Sequence, residues 1–359
     1  MKKKILHLNT NLDVTSGVTR CIELLSKNLS NDFEHHVIVF QGDDAKACGS
    51  NTFLVINEIG SSSVIHKITM PFKIWRYIIR HRIDIVHSHH RYMDFVATLI
   101  LRICDIRTIT TVHSKVYGKK SLSYKSSTLI AVSNSIRDHL TNYYGVNDNR
   151  IRLINYFVDS EALICAQSRE DMRSQLGIGS DEILLGYVGR IDIDEKGVDL
   201  LVSAFEILKK GYNGLRFMLV GGGKDLDLVE RMDIEKNLKI IFVPGTKDVF
   251  DYFQCIDLFV LPSRIDPFPY VMLEAAALKI PIIAARVDGI PEFIDDGVNG
   301  LIFEKNNLND LVCKIELMLS DETLRQELSM RLFGKVFAQY EKSRIIPEYI
   351  KLYNGNIAG

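Results

Sequence analysis

The stretch Leu261–Glu292, LPSRIDPFPYVMLEAAALKIPIIAARVDGIPE, decides the reading of this chain. The apolar run Leu258–Leu261 reads as a buried parallel strand, and Pro262 to Pro269 as the loop leaving its carboxyl end, with Asp266 inside that loop. A helix is expected to begin near Pro269, whose fixed φ suits a first turn, to carry Glu274 and to end near Lys279. The next strand, Ile280–Ala284, runs into Val287-Asp288-Gly289-Ile290-Pro291-Glu292, a turn whose glycine permits close backbone approach. Open α/β sheets bind ligands at this edge, where helix N-termini offer N–H groups to phosphates. Taken singly, Asp266 could be a helix cap and Glu274 a solvated helix residue. Two acids eight positions apart between glycine-containing turns point instead to an anionic, polyhydroxyl ligand.

Outward from this stretch, strand-like runs alternate with helical patterns. In the first half they are Ile5–Leu8, His36–Phe40, Ile85–His87, Arg107–Val112, Leu129–Val132 and Ile151–Ile154, with helical periodicity in Thr19–Leu29, Tyr92–Arg102 and Ser135–Tyr144. The second half restarts at Ile183–Val188 and continues through Leu215–Val220, Lys239–Phe242, Leu258–Leu261 and Ile280–Ala284. At 359 residues and 47% hydrophobic, the chain is long enough for two cores at ~100–200 residues per domain. The expected fold is α/β: two doubly wound Rossmann-like domains facing a central cleft. A polar stretch at Gln167-Ser168-Arg169-Glu170 and Gly177-Ile178-Gly179-Ser180-Asp181 places the boundary near 160–180. The domains are set at 1–165 and 166–334, with a final helix over 335–359 that could cross back onto the first domain.

The 44 basic and 45 acidic residues argue against a general nucleic-acid binder. Six scattered cysteines, Cys21, Cys48, Cys104, Cys165, Cys255 and Cys313, form no CxxC pair, which fits a reduced compartment without structural zinc. MKKKILHLNT reads as a first strand rather than a signal peptide, and no stretch approaches the ~20 apolar residues needed to cross a bilayer.

Charged and glycine-containing groups mark the strand ends. Gly189-Arg190 follows the strand that opens the second domain, and Lys196-Gly197 lies in the same loop before the helix Val198–Lys210. A guanidinium fork and an ammonium at a helix N-terminus suit a diphosphate, although both could instead pair with Asp192, Asp194 and Glu195 at the surface. Gly221-Gly222-Gly223 would let a ligand approach the backbone or form an ordinary turn; it lacks the GxGxxG pattern of a dehydrogenase. Ser16-Gly17-Val18 could close over a phosphate or sugar, or Ser16 could simply cap a helix. His87, His89, His90 and His113 stand at strand carboxyl ends, where His113 could donate to a sugar oxygen or act on an acceptor. None has the spacing of a zinc site, and His90 suits a polar sheet edge. On a helix starting near Pro71, Phe72, Trp75 and Ile79 form an apolar stripe flanked by Arg76 and Arg80. Within Lys67–Arg82 this is either a helix packed on the sheet or, with Lys115, Lys119, Lys120 and Lys125, a contact for anionic lipid.

The order Gly189-Arg190, Lys196-Gly197, Gly221–Gly223, Asp266…Glu274 and Gly289…Glu292 resembles the retaining glycosyltransferases of family 4, which have the GT-B fold, and the likeness covers essentially the whole length. The family's E-x7-E element places its first acid on the donor sugar and its second on the nucleotide ribose. Here it is Asp266-x7-Glu274, with a reach shortened by one methylene that bears on donor-sugar identity more than on reaction class. The resemblance implies that Arg190 and Lys196 neutralise the donor diphosphate and that Gly17, Gly189 and Gly222 admit it. It implies further that Val243 and Pro244 border the base, that the backbone at Val271 meets ribose and phosphates, and that His113 lies near the transferred sugar.

The implied reaction is retaining transfer of a hexose or N-acetylhexosamine from a UDP- or GDP-sugar, as substrate, to a glycan or polyprenyl-linked glycan acceptor in cell-surface polysaccharide assembly. No cofactor and no metal are expected. A cytoplasmic setting is expected, with peripheral contact at the inner face of the cytoplasmic membrane if the basic helix docks there. A nucleotide-sugar epimerase, a glycosidase, a phosphorylase and a noncatalytic sugar-binding module are the rival readings. The glycosidase offers no role for Arg190 and Lys196.

Overall fold

A computed structural model of the chain describes residues 2–10, 16–39, 52–55, 64–101, 106–246 and 248–355. It divides into two compact units, Met1–Tyr156 with Ser343–Gly359, and Phe157–Lys342.

The first unit is built on β1 (Lys3–Leu8), β2 (Phe33–Val39), β3 (Thr52–Val55), β4 (Ile85–Ser88), β5 (Arg107–Val112), β6 (Thr128–Ala131) and β7 (Ile151–Leu153). They form one sheet in the order β3-β2-β1-β4-β5-β6-β7, with every pairing parallel. The second unit holds β8 (Ile183–Val188), β9 (Leu215–Val220), β10 (Ile241–Val243), β11 (Leu258–Leu261), β12 (Ile282–Ala285) and β13 (Leu301–Phe303). Their order is β10-β9-β8-β11-β12-β13, again parallel throughout. All four residues are buried in each of β11 and β12, as a sheet covered by helices on both faces requires. The strand order reverses beside β1 in the first unit and beside β8 in the second, and ligands bind such α/β sheets at those carboxyl ends.

The edge strands β3 and β13 have no counterpart in the sequence reading. Phe40, Cys48, Arg102 and Cys104 lie outside the described residues. Among the described residues, Cys21, Cys165, Cys255 and Cys313 form no disulfide. No helix among the described residues is long and apolar enough to cross a membrane.

Two helices differ from expectation. The helix expected to start near Pro71 runs over Val64–His81 with Pro71 inside it, since a single proline removes one N–H from the ladder without ending the helix. Its packed face is Ile74 and Ile78, which join Leu6, Leu8, Val86 and Met93 in the core. Phe72 and Ile79 are instead 60% and 54% exposed, so the expected apolar stripe is largely the outer side. The final helix begins at Lys342 rather than near Lys335, because Lys335 closes the helix Glu322–Lys335 and the chain becomes extended at Glu341. There the Val158 N–H donates to the Tyr340 carbonyl at 2.9 Å and the Lys342 N–H to the Val158 carbonyl at 2.9 Å. That last helix touches the first sheet through Lys3 Nζ, which donates to the Tyr353 carbonyl at 3.3 Å.

Beyond the ends of β8 and β9 the two backbones stay zipped, Gly189 N–H donating to the Val220 carbonyl and Ile191 N–H to the Gly222 carbonyl, while Gly221 N–H ties β9 to β10 through the Val243 carbonyl, each at 2.9 Å. A Cβ on Gly221 would stand 2.0 Å from the Gly189 carbonyl oxygen, at a φ of +141°, whereas one on Gly222 would meet nothing within 4 Å. Gly221→Ala should therefore lower the unfolding free energy by about 1–3 kcal/mol, and Gly222→Ala should change it by less than about 0.5 kcal/mol. Urea unfolding of the two variants checks this, and equal stabilities would refute it.

Candidate functional site

The loop after β8 and the loop after β11 are neighbours because β8 pairs with β11. Their backbones are joined directly, with Arg264 N–H and Ile265 N–H donating to the Glu195 carbonyl at 2.7 and 3.0 Å. Arg264 adds a bidentate ion pair to Asp199 at 2.7 and 2.9 Å, a geometry that fixes orientation as well as charge. Within this frame the Lys196 ammonium donates to Asp266 Oδ2 at 2.6 Å. The Ser263 hydroxyl donates to the same oxygen at 3.1 Å, and the Asp266 N–H donates to Asp288 Oδ2 at 2.9 Å. Asp266 is therefore not a helix cap; its carboxylate holds Lys196.

Arg190 is about half exposed and pairs with Glu195, with Asp192 Oδ2 4.0 Å away. Its carbonyl accepts from the Tyr187 hydroxyl at 2.7 Å, which pins the backbone while the guanidinium stays at the surface. Lys224, directly after the glycine triplet, reaches Asp194 at 2.9 Å and Asp192 at 3.4 Å. Burial alone would raise the Asp192 pKa, but the Glu195 N–H and the Lys224 ammonium outweigh it and hold the carboxyl below its usual range. Three cations thus stand on two neighbouring strand-end segments, Arg190 and Lys196 after β8 and Lys224 after β9, each balanced by carboxylates.

The helix Tyr270–Ala277 has Pro269 before it and no side chain capping it, so its first-turn N–H groups, Val271 included, present the positive end of a helix. Glu274 sits on this helix and is 7% exposed, not solvated. In the turn Val287–Glu292 the positive φ belongs to Asp288, at +44°, while Gly289 has a φ of −88°. The turn is shaped by Asp288, not by its glycine. Val243 is buried with its carbonyl on Gly221, and Pro244 is exposed.

In the first unit Ser16 caps the helix Gly17–Asn28 by accepting from the Val18 N–H at 3.3 Å, and Gly17 is its exposed first residue. His90 is exposed and accepts from the Tyr92 N–H at 3.1 Å. His113 has both ring nitrogens engaged: Nε2 with His89 Nδ1 at 3.1 Å and Nδ1 with the Tyr156 hydroxyl. Around it lie His7, His35, His87 and His89, all buried. His87 meets the Tyr353 and Thr111 hydroxyls, both at 2.7 Å. The side-chain donor atoms of His7, His87 and His89 lie within 4.8 Å of one another, as do those of Cys21, His89 and His113. Spacing along the chain could not have found these groups, because β1, β4 and β5 bring their members together across the sheet. The sequence reading also passed over Lys224, Ser263, Asp288, His7 and His35; a lone histidine in the apolar run Ile5–Leu8 was the available signal for His7.

Two parallel sheets, each with a strand switch and flanked by helices, define an α/β protein of the GT-B fold class. Residues 15–162 match Glycosyltransferase Family 4 and residues 168–331 match Glycosyl transferases group 1, and the chain belongs to this glycosyltransferase family. An uncharacterized glycosyltransferase of Methanocaldococcus jannaschii is 28% identical over 334 residues, 90% of each chain. The capsular polysaccharide biosynthesis glycosyltransferase CapM of Staphylococcus aureus is 25% identical over 244 residues, 66% of this chain and 63% of that one. Anabaena HepE, solved in complex with UDP and glucose, shares the fold with a TM-score of 0.86 at 17% identity, over 98% of this chain and 99% of that one.

Burial, reinforced by neighbouring imidazoles, lowers the pKa of His87 and His113 to about 3 and pushes His7 and His89 far below the ordinary range. Burial likewise lowers His35 to about 4. These five groups are neutral when folded, but protonate near pH 6.5 when unfolded. As pH falls below about 6.5 the unfolded chain binds more protons, so stability declines, by about 1.4 kcal/mol per pH unit for each imidazole. Urea unfolding at about pH 7 and about pH 5 should show a steep loss at the lower value; equal midpoints would contradict neutral burial.

Proposed function

We propose that this protein transfers a hexose or N-acetylhexosamine from a UDP- or GDP-sugar to a glycan or polyprenyl-linked glycan acceptor with retention of anomeric configuration, in the assembly of a cell-surface polysaccharide. The observation that carries the reading is the convergence of Arg190, Lys196 and an uncapped helix N-terminus on adjacent strand-end loops. Such a site stabilises the charge that accumulates on a departing diphosphate. Arg190 exchanges Glu195 for phosphate oxygens, and Lys196 supplies a second positive charge from a position fixed by Asp266. Side-chain cations thus take the place of a divalent metal. Glu274 holds the ribose, with the backbone at Val271 on ribose and phosphates. Gly17, Gly189 and Gly222 admit the diphosphate, and Val243 and Pro244 border the base. CapM's role in capsular polysaccharide synthesis and the UDP and glucose held by HepE support this donor and product class.

In this reading His113 lies beside the transferred sugar, as the family resemblance suggests. Its nitrogens are committed within its own unit and its basicity is low, so we assign it to orientation, and deprotonation of the acceptor to the leaving phosphate oxygen. The outward Phe72 and Ile79, beside exposed Arg76 and Arg80, support peripheral contact with the cytoplasmic face of an anionic membrane, where a lipid-linked acceptor would be concentrated.

Arg190→Ala and Lys196→Ala should each weaken UDP or GDP binding and reduce turnover by more than about tenfold, at least about 1.4 kcal/mol. Asp266→Asn should lower nucleotide affinity less than Lys196→Ala does. Calorimetry and transfer assays check both, and wild-type values in folded Arg190 and Lys196 variants would overturn the diphosphate site. Sedimentation with anionic vesicles should pellet the wild type at low salt, with about 1 kcal/mol lost per basic residue removed at Arg76 and Arg80 and weaker binding in high salt. Absence of lipid-dependent pelleting would reduce this helix to a packing element.

A further inference from the structure

At the strand switch of the first unit four histidines from four segments join end to end. His35 Nδ1 meets His7 Nε2 at 2.9 Å, His7 Nδ1 meets His89 Nε2 at 3.0 Å, and His89 Nδ1 meets His113 Nε2 at 3.1 Å. The series ends where His113 Nδ1 meets the Tyr156 hydroxyl. Register explains the assembly: His35 is paired with Ile5 in the sheet, two residues before His7, and His89 is tied to β1 through its N–H on the Leu8 carbonyl at 2.9 Å.

A neutral imidazole has one N–H and one bare nitrogen, so each link forces the next. If one ring donates from Nε2, its Nδ1 must accept, and the next ring must donate from its own Nε2. The chain therefore has only two self-consistent directions. At the inner end His35 Nε2 is buried with no hydrogen-bond partner among the described residues, so no bond there selects between them. At the outer end a phenol is a better donor to an imidazole nitrogen than an acceptor from one, which favours a bare Nδ1 on His113. The outer end therefore sets the direction.

The spacing also discriminates against a metal ion at these atoms. Two imidazoles on one tetrahedral zinc, with Zn–N of about 2.0–2.1 Å, hold their nitrogens about 3.3 Å apart. The separations here, 2.9 to 3.1 Å, are those of N–H···N bonds, and both nitrogens of His7 and of His89 are already used.

We infer that His35, His7 and His89 are positioning residues that form a one-directional hydrogen-bond wire and lock His113 as its Nε2–H tautomer, with Nδ1 accepting from Tyr156. The wire orients the ring of His113 and prevents it from competing with the leaving phosphate for the acceptor proton. This consequence rests on the reading that His113 lies beside the transferred sugar; the wire itself does not.

The test is long-range ¹⁵N–¹H correlation NMR on the full chain labelled in its histidine rings, with wild type and Tyr156→Phe compared. In the wild type all four rings are expected to carry hydrogen on Nε2. Phenylalanine at 156 removes the donor to His113 Nδ1, so the reversed direction should populate and His35, three links from His113, should gain hydrogen on Nδ1, while kcat falls severalfold and the donor KM stays within about twofold. Should Tyr156→Phe fail to fold, the ring assignments of the wild type alone decide the direction. Hydrogen on Nδ1 of His113 in the wild type, or an unchanged Nε2–H tautomer at His35 in the folded variant, would overturn the wire. A tautomer change with unaltered kcat would uphold the wire and overturn the placement of His113 beside the transferred sugar.

Discussion

The ion pair between Lys196 and Asp266 is the contact on which the second unit's ligand edge depends. Each partner comes from a different loop, and the ammonium and carboxylate are largely buried at 2.6 Å. A pair in that setting loses hydration on both sides, and removal of one partner leaves the other as a buried, uncompensated charge. The surrounding bonds serve the same geometry: Ser263 and Asp288 fix Asp266, while Arg264 and the Glu195 carbonyl clamp the loops together. In the proposed site Lys196 would meet the ligand from a position already set, which reduces the ordering cost that a free lysine side chain would carry.

The two sheets have the same winding and load their strand switches with opposite electrostatics. Beside β8 the groups are ionic and Arg190 is half exposed, which suits the proposed exchange of a carboxylate for phosphate. Beside β1 the groups are imidazoles that burial keeps neutral, bonded to one another rather than to solvent. A neutral chain of N–H···N bonds keeps a polar strand switch rigid without the desolvation penalty of charges. One unit is suited to stabilising developing negative charge, the other to holding orientation.

The alternation of apolar runs revealed both sheets, because a parallel strand buried on both faces has no polar positions to interrupt it. It missed β3 and β13, which lie at the sheet edges. The Asp266–Glu274 spacing and the loop carrying Arg190 and Lys196 were legible because each lies within ten residues of chain. Their coupling was not, since Lys196 and Asp266 are 70 positions apart and meet only through the pairing of β8 with β11. The same reason hid the histidine wire, whose members span His7 to His113. The stripe Phe72, Trp75, Ile79 was left open between packing and outward contact, and the structure divides it: Trp75 packs with Ile74 and Ile78, while Phe72 and Ile79 face out.

Hydrogen exchange read by mass spectrometry, with and without saturating UDP or GDP, tests the central claim most directly. The account predicts that at least one of these nucleotides slows exchange in the segments around 189–197 and 262–274, where the cationic loops and the uncapped helix present their N–H groups. Saturable binding that leaves both segments unchanged, or binding by neither nucleotide, would contradict it.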